Sequence, residues 1–549
     1  MSRFRIRLFA GASVLAFCAA AVAAQENAPA TPTEQPGGTE GATPEGVPHT
    51  ATTVEETAGQ DAPVDAAEDG PAQQDARSAD AWIASGQAAL QERLERQPVT
   101  GRARNVILFV ADGNSIGTNY ATRIYQGQQA GGYGDENVLA KERMPYLALS
   151  KTYNTNAQTP DSAGTAVALN SGVKTKAGVI GVDETLRRGE CGDVESARID
   201  LFGEEVAGMG KSVGIVTTAR LTHATPAAVY AHAADRGMED DAALPEGCEV
   251  PDIAAQLLEK MKEGEVDLAL GGGRRHFLPV DVEGEESDPG KRTDGRNLIE
   301  EAREAGAQYA WNGETFANLT LDHSTPVLGI FESSHMLYEH DRADEPSLVE
   351  MTEAAIDYLS NNEDGYYLMV EGGRVDHANH DGNAFRAITD GVIFDEAVAK
   401  AMEMTADEDT LIIVTADHGH GLEFNGYCGR GSPITGLCHS VDDAGEEHSA
   451  DLELGLDGKP YTAIGYMNGL GAVVTEQADG SYFGTRPVLT QEQAQDPDYL
   501  QQATLPLSSE THSPVDVAIY ASGPWAHLFD GTVEQSYVYH VMKHAVEAE

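Results

Sequence analysis

Three short segments of the chain are dense in side chains that bind metal ions. They read VEGGRVDHANHDG (370–382), TADHGH (415–420) and SSETHSP (508–514). Their carboxylates and imidazoles are Glu371, Asp376, His377, His380, Asp417, His418, His420 and His512. Mixed imidazole and carboxylate ligands suit zinc, whereas carboxylates and hydroxyls suit magnesium. A single histidine is more often structural, but three such segments together favour a metal centre. Asp376 and His380 lie four residues apart, so a helix starting there would place both on one face.

A candidate nucleophile lies in TPDSAGTAVALNSG (159–172). Ser162 is followed by a helical run, so its hydroxyl could lie at a helix N-terminus. The structural alternative is that Asp161 or Ser162 only caps that helix, which is a common use of both residue types. Taken alone, the segment does not decide between the two interpretations.

A second serine, Ser115, belongs to VILFVADGNSIG (106–117). The segment fits the G-x-S-x-G nucleophile elbow, but an elbow needs earlier strands that supply an oxyanion loop, and this is the first convincing strand. We therefore favour Asp112, at the end of the strand, over Ser115 as the functional residue of this segment.

The order of apolar runs predicts the fold class. Six runs are typical of buried strands: NVILFVAD (105–112), SVGIVTT (212–218), VDLALGGG (266–273), GYYLMVEGG (365–373), DTLIIVTADHG (409–419) and PVDVAIYASG (514–523). Amphipathic helical patterns lie between several of them: DIAAQLLEKMKEG (252–264), SLVEMTEAAIDYLSNN (347–362) and ITDGVIFDEAVAKAMEM (388–404). This alternation indicates an α/β fold, with a mostly parallel central sheet covered by helices on both faces. Asp112, Thr217, Thr218, Glu371 and Asp417 follow the strands, at the edge where ligands bind in such sheets.

The N-terminal region predicts export. Residues 1–24 combine arginines, a short apolar run and small residues, which indicates a signal peptide. Residues 25–78 are rich in Pro, Ala, Gly, Thr and Glu and are expected to be a disordered acidic linker. We expect one catalytic domain over 79–549 and, with no other run apolar enough to cross a bilayer, a periplasmic or extracellular protein without a membrane span.

The net charge of the chain bears on which partners it can bind. The formal net charge is −53, from 89 acidic against 36 basic residues. Such a chain repels nucleic acids and anionic membranes, and its surface suits salty surroundings.

Four cysteines follow the predicted signal peptide, which suggests two disulfides with three possible pairings. Proximity in the sequence favours Cys191 with Cys248 and Cys428 with Cys438.

The motifs together resemble the alkaline phosphatase family over about residues 100–545. Asp161-Ser162-Ala163 matches the nucleophile motif of that family, and Asp112 matches its first metal aspartate. TTARLTHATPAAVYAHAADR (217–236) is similar to the segment that ends in the phosphate-binding arginine, here Arg236. The three metal-ligand segments match in order and spacing.

The resemblance implies a phosphomonoesterase that works through a phosphoserine on Ser162, with two zinc ions and one magnesium ion. Asp376, His380 and His512 would hold one zinc, and Asp112, Asp417 and His418 the second, beside Ser162. Asp112, Thr225 and Glu371 would hold magnesium, with His223 in its outer shell. Asp161, Arg236 and His377 would bind the substrate. We also expect a homodimer.

The resemblance is to the animal branch rather than the enterobacterial one, because His223 and His377 stand where the latter has Asp and Lys. A long insertion at about 421–505 is similar to the crown subdomain of the animal branch. FESSHMLYEH (331–340) and DEPSL (344–348) resemble its calcium site, which would use Glu332 and Glu345, although the segment near Asp281 is shortened. The loop at 113–115 reads Gly-Asn-Ser where relatives usually have Gly-Met-Gly.

Two other functions remain to be weighed. A phosphodiesterase or sulfatase of the same superfamily usually has Thr, or a modified Cys or Ser, as nucleophile, so Ser162 with Arg236 favours monoesters. A non-catalytic calcium-binding surface protein would leave the ordered histidines unexplained.

Overall fold

The structure, a computed structural model, describes residues 78–406, 409–441 and 451–548. The predicted signal peptide and, apart from Ser78, the predicted acidic linker lie outside these residues. No helix in the described part of the chain is long and apolar enough to cross a membrane.

The strands are short and spread along the chain. They are β1 (Asn105–Ala111), β2 (Tyr146–Lys151), β3 (Ser212–Arg220), β4 (Leu268–Gly272), β5 (Gln308–Ala310), β6 (Val327–Ile330), β7 (Tyr366–Gly372), β8 (Thr410–Thr415), β9 (Gly419–His420), β10 (Leu422–Phe424), β11 (Ile464–Gly469), β12 (Thr475–Glu476), β13 (Tyr482–Phe483), β14 (Ala503–Pro506), β15 (His512–Ser513), β16 (Val517–Ser522) and β17 (Thr532–Glu534).

The α-helices alternate with them. They are α1 (Ala79–Glu95), α2 (Ile116–Gln129), α3 (Ser162–Ser171), α4 (Val194–Ala197), α5 (Phe202–Gly208), α6 (Ala224–Ala227), α7 (Ile253–Glu263), α8 (Leu298–Glu304), α9 (Gly313–Ala317), α10 (Leu348–Leu359), α11 (Arg374–His380), α12 (Ala384–Met404), α13 (Gln491–Ala494) and α14 (Tyr537–Glu547).

Ten of the strands form one sheet in the order β17-β2-β16-β8-β1-β7-β3-β4-β6-β5. Only β16 runs antiparallel to both of its neighbours; every other pairing in this sheet is parallel. The predicted α/β fold with a mostly parallel sheet is confirmed, and each of the six predicted strand runs contains a strand. The sequence analysis missed β2, β5, β6 and β17, which are short or lie toward the sheet edges and lack a long apolar run.

The apolar composition of β1 follows from burial on both faces of the sheet. Val106, Leu108 and Val110 pack into the core on one side, together with residues of α3, α5, α7 and α14. Ile107 and Phe109 pack on the other side, against α10 and α12. Helices therefore cover both faces, as predicted.

The segment predicted to be an insertion, 421–505, contributes no strand to the large sheet in its described part. It contains β10 and β11 and most of β14, which form a three-stranded sheet, and the hairpin of β12 and β13. The two favoured disulfides, Cys191–Cys248 and Cys428–Cys438, are both present.

A buried carboxylate on α12 provides a test of stability against pH. Asp390 is 3% exposed and accepts a 3.2 Å hydrogen bond from the Glu339 backbone N–H. Burial raises its pKa from 3.8 to about 7, because the nearby positive charge of Arg374 only partly compensates, and the charges of Glu339 and Asp341 add to the rise.

We expect Asp390→Asn to raise the free energy of unfolding at pH 8 by roughly 1–3 kcal/mol, and to raise it much less at pH 5. An acid whose pKa is higher in the folded state destabilises the fold once the pH rises above its unfolded pKa, and the penalty is complete above the folded pKa. Asparagine keeps the acceptor for Glu339 without the charge. Thermal and urea unfolding at the two pH values would measure the effect, with the exposed Asp357→Asn as control. An equal gain at both pH values would contradict this explanation.

Candidate functional site

Three adjacent strands bring the candidate ligands to one edge of the sheet. Asp112 directly follows β1, Glu371 lies near the end of β7, and Asp417 lies just beyond β8. Since β8, β1 and β7 are parallel neighbours, their carboxyl ends meet at the same edge. Side chains that are more than 250 residues apart in the sequence thereby become neighbours.

The first group of metal-type ligands consists of Asp376, His380, His420 and His512, whose ligand atoms all lie within 4.8 Å of one another. Asp376 and His380 share one side of α11, as their spacing predicts. The Nε2 atoms of His380 and His512 are 3.0 Å apart, and His420 Nε2 lies 2.6 Å from Asp376 Oδ1. The Nε2 atoms of His380 and His512 converge with the Asp376 carboxylate in a way that fits a zinc site. Against the effect of burial, Asp376 and Glu510 raise the pKa of His420 to about 10, so this ring donates hydrogen bonds to both carboxylates.

The outer nitrogens of these histidines are held by the protein. Nδ1 of His380 donates to the Glu510 backbone carbonyl at 2.6 Å, and Nδ1 of His512 donates to the Pro160 carbonyl at 2.8 Å. Nδ1 of His420 bonds to the Glu510 carboxylate. Because carbonyl acceptors place the protons on Nδ1 of His380 and His512, their Nε2 atoms keep a free lone pair that faces the group.

The second group consists of Asp112, Asp376 and His418, and it surrounds the candidate nucleophile. Ser162 Oγ lies 3.1 Å from His418 Nε2 and 3.5 Å from Asp112 Oδ1. Asp417 contributes an oxygen 3.2 Å from the same His418 nitrogen. Asp112, Asp417 and His418 are completely buried, and Asp112 Oδ2 has no hydrogen-bond partner among the described residues. An unpartnered buried carboxylate oxygen fits a bound cation.

The third group consists of Asp112, His223 and Glu371. Glu371 Oε2 accepts a hydrogen bond from the Thr217 hydroxyl, while Glu371 Oε1 and Thr225 Oγ1 are buried without a partner in the described structure. Carboxylate and hydroxyl oxygens of this kind are ligands that magnesium prefers. The structure therefore brings together the residues expected to hold magnesium.

The carboxylates of these groups repel one another. Burial, together with the charges of Asp417 and Asp376, raises the pKa of Asp112 well above its ordinary value. Burial likewise raises the pKa of Glu371 to about 7. Burial alone would raise the pKa of Asp376, but the neighbouring His380 and His420 hold this pKa well below its ordinary value. The fold thus concentrates negative charge where cations can compensate it.

The predicted anion-binding residues lie beside these groups. Asp161 is the N-cap of α3 and accepts from the Gly164 backbone N–H, so Ser162 is the first residue of that helix. Arg236 Nη1 lies 3.4 Å from Asp161 Oδ2, and Arg236 Nη2 donates to His223 Nε2 at 2.9 Å. Burial lowers the pKa of His223 and of His377 well below the ordinary value, so both rings are neutral at pH 7.

Ser115 lies outside this arrangement. It is the N-cap of α2, and its hydroxyl accepts from the Thr118 backbone N–H and contacts the Thr118 hydroxyl. Within the described residues no histidine is bonded to that hydroxyl, so the structure gives Ser115 a capping role.

Three residues of the site had no assigned role in the sequence analysis. His420 stood among the candidate ligands but in no expected zinc set, and the structure places it in the first group. Glu510 orients His420 and His380. His335 packs against His377 with ring centroids 4.0 Å apart and bonds to Arg220. Because His420 and Glu510 lie within the ligand-rich segments TADHGH and SSETHSP, the sequence could have indicated that they belong to the site. No sequence pattern indicates that His335 contacts His377.

The expected calcium ligands lie close to each other but in none of the three groups found among the described residues. Glu345 is buried; its Oε1 accepts from the Leu337 N–H at 2.9 Å, and its Oε2 has no partner in the described structure. Burial, and then the charge of Glu332, raises the pKa of Glu345 to about 8.

A family model described as alkaline phosphatase matches residues 103–548. An alkaline phosphatase of Gadus morhua is 41% identical over 481 residues, which are 84% of this chain and 96% of that protein. The tissue-nonspecific isozyme of Rattus norvegicus is 40% identical over 482 residues, 84% of this chain and 88% of the relative.

Solved structures share the fold at lower identity. The alkaline phosphatase of the Antarctic bacterium TAB5 aligns with a TM-score of 0.55 at 21% identity, covering 82% of this chain and 99% of the other. That of Thermus thermophilus aligns with a TM-score of 0.57 at 23% identity, covering 85% of this chain and 95% of the other.

Proposed function

This chain belongs to the alkaline phosphatase family, and from that membership and the site geometry we propose an exported phosphomonoesterase that forms a phosphoserine on Ser162. The chain is a phosphoric monoester hydrolase similar to the animal-type enzymes. The observation that carries the proposal is Ser162 Oγ lying between His418 Nε2 and Asp112 Oδ1, at the N-terminus of α3.

We assign the first zinc to Asp376, His380 and His512, and the second to Asp112, Asp417 and His418. Magnesium is assigned to Asp112, Thr225 and Glu371, with His223 in the outer shell. The convergent imidazole nitrogens and the unpartnered oxygens described above support these assignments. His420 bonds to Asp376 and orients it. Bound zinc withdraws charge from phosphoryl oxygens and lowers the pKa of a nearby hydroxyl.

Calcium is proposed at Glu332 and Glu345. The support is the buried Glu345 Oε2, which has no hydrogen-bond partner among the described residues; burial, and then the charge of Glu332, raises the pKa of Glu345, and a bound cation would relieve that repulsion.

The residues of the chain position the substrate and the nucleophile. The N-terminal end of α3 presents backbone N–H groups and a positive dipole end toward Ser162, which favours negative charge there. Arg236 has a planar fork that can bind two non-bridging phosphoryl oxygens. Asp161 and His223 contact that guanidinium and orient it. We propose that His377, whose pKa burial lowers well below its ordinary value, hydrogen-bonds a phosphoryl oxygen.

In the reaction, a bond forms between Ser162 Oγ and phosphorus while the bond from phosphorus to the alcohol oxygen breaks, and the alcohol leaves with a proton. Water then hydrolyses the phosphoserine, which regenerates Ser162 and releases inorganic phosphate. Arg236, and the metal ions when bound, would attract the anionic substrate although the chain as a whole is strongly acidic. The location is proposed to be periplasmic or extracellular and the assembly a homodimer.

The direct test is hydrolysis of p-nitrophenyl phosphate before and after chelation. We expect chelation to remove activity, zinc with magnesium to restore it, and bis(p-nitrophenyl) phosphate to react at least ~100-fold more slowly, which corresponds to about 2.7 kcal/mol of transition-state energy. Metal analysis of the active protein would measure zinc, magnesium and calcium together. Faster cleavage of the diester would contradict the proposal, as would full restoration by calcium alone.

A further inference from the structure

A small basic cavity lies at the edge of the sheet opposite the candidate site. It has a volume of about 200 Å³ and is lined by Arg102, Arg104, Met209, Lys211, Glu363 and Asp364. These residues come just before β1, β3 and β7 in the sequence, so the cavity lies at the amino ends of three adjacent central strands. The candidate catalytic residues lie at the carboxyl ends of the same region, so the two sites are separated by the length of the strands.

The three cations of this cavity have no carboxylate partner within 4.0 Å among the described residues. Elsewhere in this acidic chain, basic side chains commonly pair with acids; Arg292, for example, bonds to both Asp252 and Asp294. With 89 acidic against 36 basic residues, three unpaired cations around one cavity are unexpected. Their hydrogen bonds go to neutral carbonyls instead.

Each cation keeps N–H donors that those carbonyl bonds do not use. Arg102 donates from Nε to the Val546 carbonyl at 2.8 Å, so both of its terminal amino groups can still donate to a ligand. Arg104 donates from Nη2 to the Asn362 carbonyl at 3.0 Å, which leaves Nε and Nη1. The terminal amino groups of Arg102 thus offer a planar donor pair that can bind an oxyanion in a bidentate way, and Arg104 offers single N–H donors beside it.

Lys211 lies deepest, with 5% of its surface exposed. Nζ donates to the Arg104 carbonyl at 2.7 Å and to the Asp364 carbonyl at 2.6 Å, so one of its three N–H groups is unused. Burial, followed by the charges of Arg102 and Arg104 and only partly offset by Asp364, lowers its pKa to about 8. The lining of the cavity thus holds three basic residues against the two acidic residues Glu363 and Asp364.

We propose that this cavity binds one tetrahedral oxyanion, inorganic phosphate or sulfate, held by Arg102, Arg104 and Lys211. The ligand is small, because the volume of the cavity is below the roughly 300–1,000 Å³ of pockets that hold drug-sized molecules. The carboxylates of Glu363 and Asp364 on the cavity wall would repel larger polyanions. An oxyanion bound by these three residues joins the start of β1 to the start of β3, and it stabilises the fold because it binds only the folded state. This inference does not rest on the proposed catalytic function.

The test counts bound phosphate on the metal-loaded full chain by equilibrium dialysis. The double variant Arg102→Gln with Arg104→Gln removes the two exposed cations and keeps an amide donor at each position. The matched control is Arg93→Gln with Arg143→Gln, because those arginines are also exposed and each makes one bond to a backbone carbonyl. Sulfate at matched ionic strength distinguishes a general oxyanion site from a phosphate-specific one, and sodium chloride is the reference.

We expect two phosphates per wild-type chain and per control chain, one of them at the catalytic site. In the double variant, the affinity of the second site should fall at least ~10-fold while hydrolysis is unchanged. Melting temperature should rise with phosphate or sulfate more than with chloride in the wild type, and this extra rise should be smaller in the double variant, in which only the catalytic site still binds the oxyanion. One phosphate in all three proteins, an unchanged second affinity in the double variant, or equal stabilisation by chloride would overturn the proposal. Failure of the proposed function would instead remove the catalytic-site phosphate and the hydrolysis.

Discussion

Replacing Ser162 with alanine is expected to abolish the phosphoenzyme and to lower kcat/KM at least ~1,000-fold. The reason is that Ser162 Oγ is the hydroxyl placed between His418 and Asp112 at the start of α3. The fold should tolerate the change, because Asp161 rather than Ser162 caps the helix. Acid quenching after reaction with ³²P-labelled substrate, followed by peptide mapping, measures the intermediate.

Ser115→Ala is the matched control, since Ser115 is also a buried serine close to Asp112 in the sequence. It should keep most of the activity and the label on Ser162. It should also lose about 1 kcal/mol of stability, because its hydroxyl caps α2. Label on the peptide that contains Ser115, or a fully active Ser162→Ala enzyme, would refute the assignment of the nucleophile.

Asp112→Asn is expected to empty two metal sites at once, because Asp112 belongs to both the second and the third ligand group. Activity should fall to a level similar to that of Ser162→Ala, and the bound magnesium and one of two zinc ions should be lost. Metal content by mass spectrometry and the rate with p-nitrophenyl phosphate measure both effects.

The same variant makes an opposite prediction for the chelated protein. Burial and the neighbouring carboxylates raise the pKa of Asp112, so this acid destabilises the fold above its unfolded-state pKa when no cation is bound. At pH 8 the chelated Asp112→Asn variant should therefore unfold at a higher temperature than the chelated wild type. It should gain less stability than the wild type from added zinc and magnesium. Asp357→Asn, exposed on α10, should change neither quantity. A variant that binds the full set of metals would show that Asp112 is not a shared ligand.

The local chemistry of this protein could be predicted from the sequence. The apolar run of β1 requires burial on both faces, and the alternation of such runs with amphipathic helices requires a covered, mostly parallel sheet. The spacing of Asp376 and His380 placed both on one face of a helix. The short separation of Cys428 and Cys438 favoured their disulfide. Each of these inferences depends on residues that are close together in the chain.

The grouping of the ligands was decided only by the tertiary structure. Asp112 is shared between two groups because β1 lies between β8 and β7, an order that cannot be read from the chain. His335 meets His377 only in the folded chain. In the same way Lys211 joins Arg102 and Arg104 because β3 pairs with β7 and β7 pairs with β1, although Lys211 and Arg104 are more than 100 residues apart in the sequence. Residue type sets which ions a side chain can bind, whereas long-range strand pairing sets which side chains share one ion.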